Sequence, residues 1–347
     1  MTRCEDTSSE RESGSRPSSP SGGKSPPPTR PEGSPWTHRR SSGARWRRWP
    51  GRWTVPAKEL VVVSGKGGTG KTSLAASLVE LARKDGPVAA VDADVDASNL
   101  ALILPAVPGE PRDFTGGETA VIDPALCSGC ASCVEACRFA AVALAEGKAR
   151  VDPLSCEGCR VCRAVCPEGA VELKPLVTGS WRVDEGDGFS LIHAELGLGR
   201  DNSGKLVSRV RREGLAVAER TGSRLVIIDG PPGIGCPVHA ALTGTDLALV
   251  VTEPSPSGLH DLARALDTCA HFDLPAAVVV NKADLAPALV GETADLCRRR
   301  GHTYLGSLPF ERRVPGCLAR GLNLVHLQGF RETIAGLWER LRRLLNI

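Results

Sequence analysis

No stretch of this chain approaches the roughly 18 consecutive apolar residues of a membrane-spanning helix; its apolar runs are short, such as 247–251 and 276–280. A membrane-spanning protein is therefore not expected. Glycine and proline number 38 and 26 among 347 residues, too few for a collagen-like chain, and 41% hydrophobic residues exclude one disordered throughout. Net charge is scarce too. Residues 1–56 hold eleven Arg or Lys against five Asp or Glu, more than the whole chain's net +3, so residues 57–347 stand at −3. That mildly acidic body gives no reason to expect nucleic acid.

Ser, Pro and Gly make up 26 of the first 56 residues. Such a segment buries too little apolar surface to offset the entropy of ordering, so residues 1–56 are expected to form a disordered basic tail. No apolar segment follows Arg39-Arg40, so an export signal is not expected. Trp46-Arg-Arg-Trp49 could touch an acidic partner or a membrane surface, but the simpler expectation is a functionless tail or a misassigned start. Met1 is the sole methionine, so any later start would use another codon.

Order is expected from Glu59-Leu-Val-Val-Val-Ser64, an apolar run of strand length. Runs at 88–91, 225–229, 247–251 and 276–280 alternate with helical patterns. Unalternated Val- and Ile-rich strands separated by helices predict an α/β fold, with a mostly parallel sheet covered on both faces. One segment breaks the rhythm with a repeat at a spacing of 29 residues. Ile122-Asp-Pro-Ala-Leu-Cys127 is echoed by Val151-Asp-Pro-Leu-Ser-Cys156, and Phe139-Ala-Ala-Val-Ala-Leu144 by Glu168-Gly-Ala-Val-Glu-Leu173. The body then divides into 57–117, a small inserted domain at 118–175, and 176–347.

Gly65-Lys-Gly-Gly-Thr-Gly-Lys-Thr72 fits G-x-x-x-x-G-K-[ST] between a strand and a helix. Gly65, Gly67, Gly68 and Gly70 let the backbone, with the amide of Thr69, wrap phosphate oxygens at the helix N-terminus. Lys71 would meet the β- and γ-phosphates and the Thr72 hydroxyl would help hold Mg²⁺. This is the chemistry of a P-loop nucleotide hydrolase.

With a second lysine, Lys66, the loop reads K-G-G-x-G-K-T, and here the chain resembles the MinD/ParA/Mrp class of P-loop ATPases. The resemblance implies that Lys66 reaches a partner subunit's nucleotide, and hence a homodimer with nucleotide at its interface. In Val91-Asp92-Ala-Asp94 it implies that Asp94 orients the attacking water while Asp92 stands near Mg²⁺. Leu225-Val-Ile-Ile-Asp229-Gly-Pro-Pro-Gly233 resembles a Walker B strand and switch II, with Asp229 acting on Mg²⁺ through water. Asn281-Lys282-Ala-Asp284 stands where the class places its base-contacting Asn. N-K-x-D is also the pattern of guanine-specific GTPases; Lys66 favours ATP.

Thirteen cysteines are many, and eight fall in one window, which favours a metal site in a reducing compartment over scattered disulfides. Cys127, Cys130, Cys133 and Cys137 are spaced C-x2-C-x2-C-x3-C, and Cys156, Cys159, Cys162 and Cys166-Pro167 repeat the run. Each bacterial ferredoxin run of this kind lends its fourth cysteine to the other [4Fe–4S] cluster. One cluster is therefore expected on Cys127, Cys130, Cys133 and Cys166, the second on Cys156, Cys159, Cys162 and Cys137. Zinc would use two C-x2-C pairs with a longer spacer. Arg138 departs from the run, where its repeat has Pro167. Of the rest, Cys4, Cys269, Cys297 and Cys317 read as small hydrophobes, while Cys236, just past switch II, could take a contact or redox role.

Together these features resemble MinD-superfamily ATPases with an inserted two-cluster ferredoxin domain, over about 57–347. Supporting stretches are Asp201-Asn-Ser-Gly-Lys-Leu-Val207, Thr252-Glu-Pro-Ser-Pro-Ser-Gly258 and Leu308-Pro-Phe310. The resemblance implies a cytoplasmic ATPase using ATP, Mg²⁺ and two [4Fe–4S] clusters, its nucleotide cycle coupled to electron transfer with a redox partner. An alternative is an Mrp-type iron–sulfur carrier or maturation factor serving an apo-protein client. Eight thiolates fully ligating two clusters favour retention, and no C-terminal C-x-x-C offers a labile bridging site. A MinD-like spatial organiser would use the amphipathic helix after Phe330, whose expected fate is docking on its own sheet, so membrane contact is not expected. Cobalamin-type amide synthetases share the ATPase type but need a further amidotransferase domain, for which the chain has no room.

Overall fold

The run after residue 57 folds as β1 (Lys58–Ser64), with Leu60 and Val62 facing one core and Val61 and Val63 the other. Burial on both faces explains why the strand does not alternate. The computed structural model describes residues 56–197 and 203–347, all within the unit Trp53–Ile347. The tail expected over 1–56, Pro56 apart, lies outside the described residues, as do positions 201 and 202 of the stretch quoted above.

After β1 come α1 (Lys71–Ala82), β2 (Val88–Asp92) and β3 (Arg112–Ile122). The cysteine segment adds α2 (Ser132–Glu135), β4 (Val142–Ala145), β5 (Lys148–Val151) and α3 (Val161–Ala164). The chain returns through β6 (Val171–Gly186), β7 (Phe189–Leu196), α4 (Ser203–Thr221), β8 (Leu225–Pro232) and α5 (Cys236–Leu242). It closes with β9 (Leu247–Thr252), α6 (Pro256–His271), β10 (Ala276–Val280), α7 (Pro287–Arg299), β11 (Thr303–Ser307), α8 (Val314–Leu318) and α9 (Phe330–Leu345).

Nine strands form one sheet in the order β11-β10-β9-β1-β8-β2-β7-β6-β3. From β11 to β7 neighbours are parallel, whereas β7/β6 and β6/β3 are antiparallel. The mostly parallel α/β sheet is as expected; the antiparallel extension is not. The segment 118–175 begins inside β3 and ends inside β6, so the cysteine-bearing part grows out of the end of a hairpin of the main sheet. Its repeat is visible in register. Ala145 of β4 pairs with Lys148 of β5, and the residues 29 positions from each, Lys174 of β6 and Thr119 of β3, pair likewise.

One face of the sheet packs on α1 and α9 through Leu74, Leu78, Ile334, Leu337 and Leu341; the other is covered by α4 to α7, with Val210, Leu262, Leu266 and Cys297 buried. Each such Leu or Ile contributes about 1.5–3 kcal/mol by leaving water. The apolar stripe of α9 is spent on this core: Phe330, Ile334, Leu337, Trp338, Leu341 and Leu345 are buried. Among the described residues no helix is long and apolar enough to cross a membrane.

Candidate functional site

The loop between β1 and α1 leads into α1 through Gly70, at φ 92°, a left-handed conformation that favours glycine. A Cβ there would also lie 2.4 Å from Asn281 Nδ2. Gly67, Gly68, Thr69, Gly70, Lys71 and Thr72 line a cleft of about 490 Å³, which Asp94 and Asn281 border as well. That size suits a small-molecule ligand.

Lys71, 6% exposed, donates from Nζ to Asp229 Oδ1 at 2.7 Å and sits 3.4 Å from Thr72 Oγ1 and 3.9 Å from Asp94 Oδ2. Asp229, at the C-terminal part of β8, keeps its second oxygen buried without a partner. An orphaned carboxylate oxygen beside a threonine hydroxyl fits an oxygen-seeking divalent cation such as Mg²⁺. Burial raises the Asp94 carboxyl above its ordinary value, and the Lys71 charge opposes it.

Asp92 departs from expectation. It is 0% exposed, and its carboxylate accepts from the backbone N–H of Asp94, Asn99 and Leu100 and from Ser98 Oγ, at 2.8–3.1 Å. Burial and then Asp229 push its pKa up to about 7, against the Leu100 and Ser98 hydrogen bonds and Lys71. It does not line the cleft. The expected place near Mg²⁺ is therefore corrected: Asp92 organises the turn that presents Asp94. Ser98 and Asn99 were not legible as its partners, although a polar pair shortly after an Asp is a usable signal for a side-chain-closed turn.

Lys66 is held within its own chain, 2.5 Å from Glu253 Oε1 and 3.2 Å from Ser257 Oγ. Lys282 reaches the other oxygen of Glu253 at 3.0 Å and donates to the Gly68 carbonyl at 3.1 Å. Burial would raise the Glu253 carboxyl, but hydrogen bonds from Lys66 and Lys282, with their charges, hold it below its ordinary value. Sequence reading quoted this stretch without singling out Glu253. Ser255 caps α6 by accepting from the Gly258 N–H, and Pro256 starts the helix, which fixes this turn against the loop.

The N-K-x-D residues are likewise committed. Asn281 Nδ2 donates to the Thr69 carbonyl at 2.8 Å, and Asp284 Oδ1 accepts the Phe310 N–H at 2.5 Å. Asn281 and Lys282 thus brace the phosphate loop, while Asp284 fixes the turn carrying Pro309 and Phe310, which wall the cleft.

In the cysteine segment, Cys127, Cys130, Cys133 and Cys166 line one enclosed cavity with Ile122, Ala149 and Val171. Cys137, Cys156, Cys159 and Cys162 line a second with Ala120 and Phe139. Backbone N–H groups point at sulfur in both, Ala170 to Cys166 at 3.3 Å and Ala120 to Cys156 at 3.5 Å. Among the described residues no group of three or more Cys, His, Asp or Glu is arranged to hold a single metal ion. Cys269 and Cys297 are buried, with thiols pushed up to about 11 by burial, and Cys317 is buried too. Cys236 is exposed at the start of α5, and Cys4 lies outside the described residues.

Comparison with known proteins follows this geometry. The family model CbiA, the CobQ/CobB/MinD/ParA nucleotide binding domain, matches residues 60–325. The uncharacterized protein MJ0578 of Methanocaldococcus jannaschii is 32% identical over 289 residues, 83% of this chain and 97% of the relative. The fold is shared with the cell division ATPase MinD of Pyrococcus furiosus, at 19% identity and TM-score 0.51, covering 83% of this chain and 99% of that one. It is shared also with a variant of Cyanothece McdA in complex with ATP, at 18% identity and TM-score 0.51, covering 84% and 97%. With the loop, β8 and the cleft in place, the chain belongs to the CobQ/CobB/MinD/ParA nucleotide-binding domain family and is a P-loop ATPase.

Proposed function

We propose that this ATPase works as a homodimer whose nucleotide cycle is coupled to electron transfer through two [4Fe–4S] clusters. The partition of eight cysteines into two cavities of four carries the reading. It is the pairing that the ferredoxin runs call for, each run lending its fourth cysteine to the other set. A single zinc ion would draw four sulfurs to about 3.8 Å from one another, given Zn–S bonds of about 2.3 Å in a tetrahedron; a cubane needs them wider. The absence of a single-ion arrangement among the described residues accords with the larger group. Bound clusters would supply one-electron chemistry; the chain supplies thiolates, N–H···S bonds and apolar walls.

On the nucleotide side, Lys71 binds the β- and γ-phosphates, Thr72 and Asp229 hold Mg²⁺, and Asp94 orients the attacking water, so that catalysis is positioning plus electrostatics. Lys66 leaves Glu253 and turns to the partner subunit's nucleotide. Burial of Cys127 and Cys133 supports clusters that are retained rather than passed to a client. The docked apolar stripe of α9 disfavours a membrane-binding organiser.

Anaerobic purification tests the reading. About eight irons per chain are expected, with EPR signals from both clusters whose potentials or re-reduction rates change on adding ATP. An iron-free, colourless protein overturns cluster binding; potentials and rates indifferent to nucleotide overturn the coupling.

A further inference from the structure

The outermost strand of the ATPase sheet touches the second cysteine set. Its free edge is covered by the loop from Cys156 to Arg160. Arg160 Nε donates to Glu118 at 3.0 Å, and Gly158, at φ 61°, packs so closely that a Cβ would lie 2.4 Å from the Glu118 carbonyl oxygen. The next outward-pointing backbone donor, the Ala120 N–H, ends on Cys156 Sγ at 3.5 Å.

Between them is Thr119, 9% exposed, whose hydroxyl makes no ordinary hydrogen bond. Buried hydroxyls are seldom left so, and each one calls for an explanation. The polar group it serves is the Cys156 sulfur. Burial disfavours the Cys156 thiolate, yet the N–H groups of Ala120 and Gly158 and the Thr119 hydroxyl outweigh it. At the corresponding place 29 residues on stands Lys148, which donates to the Cys127 carbonyl instead. The arrangement is therefore peculiar to one of the two sets.

We propose that Thr119 is a tuning residue for the cluster on Cys137, Cys156, Cys159 and Cys162, its hydroxyl donating an O–H···S hydrogen bond to Cys156. The inference rests on the cluster reading above. Reduction places electron density on the ligand sulfurs, so a donor aimed at one of them favours the reduced state and raises the reduction potential. Because β3 is also a strand of the nucleotide-binding sheet, this contact places the second set within direct reach of the sheet's movements.

The test is an EPR-monitored redox titration of the anaerobically purified full chain, with dithionite as reductant, for the unaltered protein, Thr119→Val and Thr119→Ser. Thr119→Val should lower one of the two one-electron steps by about tenfold in the reduced-to-oxidised ratio, about 59 mV, and leave the other in place. Thr119→Ser, which keeps the hydroxyl, should titrate as the unaltered protein does. Thr119→Ala replaces the valine variant if that one loads less iron. Equal potentials in all variants, or a shift as large in serine as in valine, overturn the proposal while leaving the clusters standing. An unaltered chain without iron removes the cluster reading itself.

Discussion

Lys71 Nζ lies 2.7 Å from Asp229 Oδ1, and both side chains are almost wholly buried. The cation meant for phosphate is thus neutralised by the carboxylate that faces the divalent ion. Arriving Mg²⁺ and nucleotide replace both halves of this contact together.

Removing one partner strands the other. Lys71→Ala should cut ATP turnover by about 100-fold or more, the scale of losing one preorganised electrostatic contact. It should also destabilise the nucleotide-free protein by about 3–5 kcal/mol, since a buried charge loses its partner. Phosphate release and thermal melting read the two effects. Lys71→Ala with Asp229→Asn should regain stability and no turnover. Normal turnover in the single variant would overturn the site.

Asp92 accepts four hydrogen bonds that close the turn around Asp94. Asp92→Ala should therefore lower kcat by about 10–100-fold, the range of a misplaced reacting group, with a smaller change in KM. A KM effect alone would instead place Asp92 among the nucleotide-binding groups.

Glu253 restrains Lys66 and Lys282 together. Glu253→Gln should free Lys66 and increase the fraction of dimer formed with a nonhydrolysable ATP analogue, measured by sedimentation. The pH dependence has a definite sign. A carboxyl held below its ordinary value of 4.5 in the fold contributes stability fully present above that value and lost as pH falls through the lower, folded one. Acid should accordingly loosen the loop in the unaltered chain and not in the glutamine variant, as limited proteolysis would show. Identical dimer fractions would mean that Glu253 does not restrain Lys66.

Asp284 is engaged by the Phe310 N–H rather than facing open cleft. Asp284→Asn should raise KM for ATP several-fold by loosening the Pro309–Phe310 wall, with no gain for xanthosine triphosphate. A carboxylate that reads guanine gives the opposite result, because asparagine would then pair with the xanthine 2-oxo group. Competition among ATP, GTP and xanthosine triphosphate separates the cases.

What was legible depended on how far apart the partners lie. The phosphate loop and the two cysteine runs are contiguous, and their spacing carries their chemistry. The strand character of 60–63 or 276–280 follows from burial on both faces. Asp92 was misplaced because its fate turns on where Ser98, Asn99 and Leu100 fold back, which no spacing rule encodes. Asn281 finds the Thr69 carbonyl 212 residues away, and Lys66 finds Glu253 across the sheet. The length of the hairpin β3/β6 escaped notice for another reason. Gly116 and Gly117 interrupt β3 at a break in its register, and glycine in a strand weakens the pattern from which strands are read.

The loop over β3 has one more consequence. A border strand left uncovered offers its unpaired amides to any neighbouring chain. Here the cover is a segment whose own shape depends on what its sulfurs hold. Iron starvation would then be felt first as clumping and loss from the supernatant, before any change in hydrolysis, because the same few residues that grip the metal also keep molecules of this protein apart.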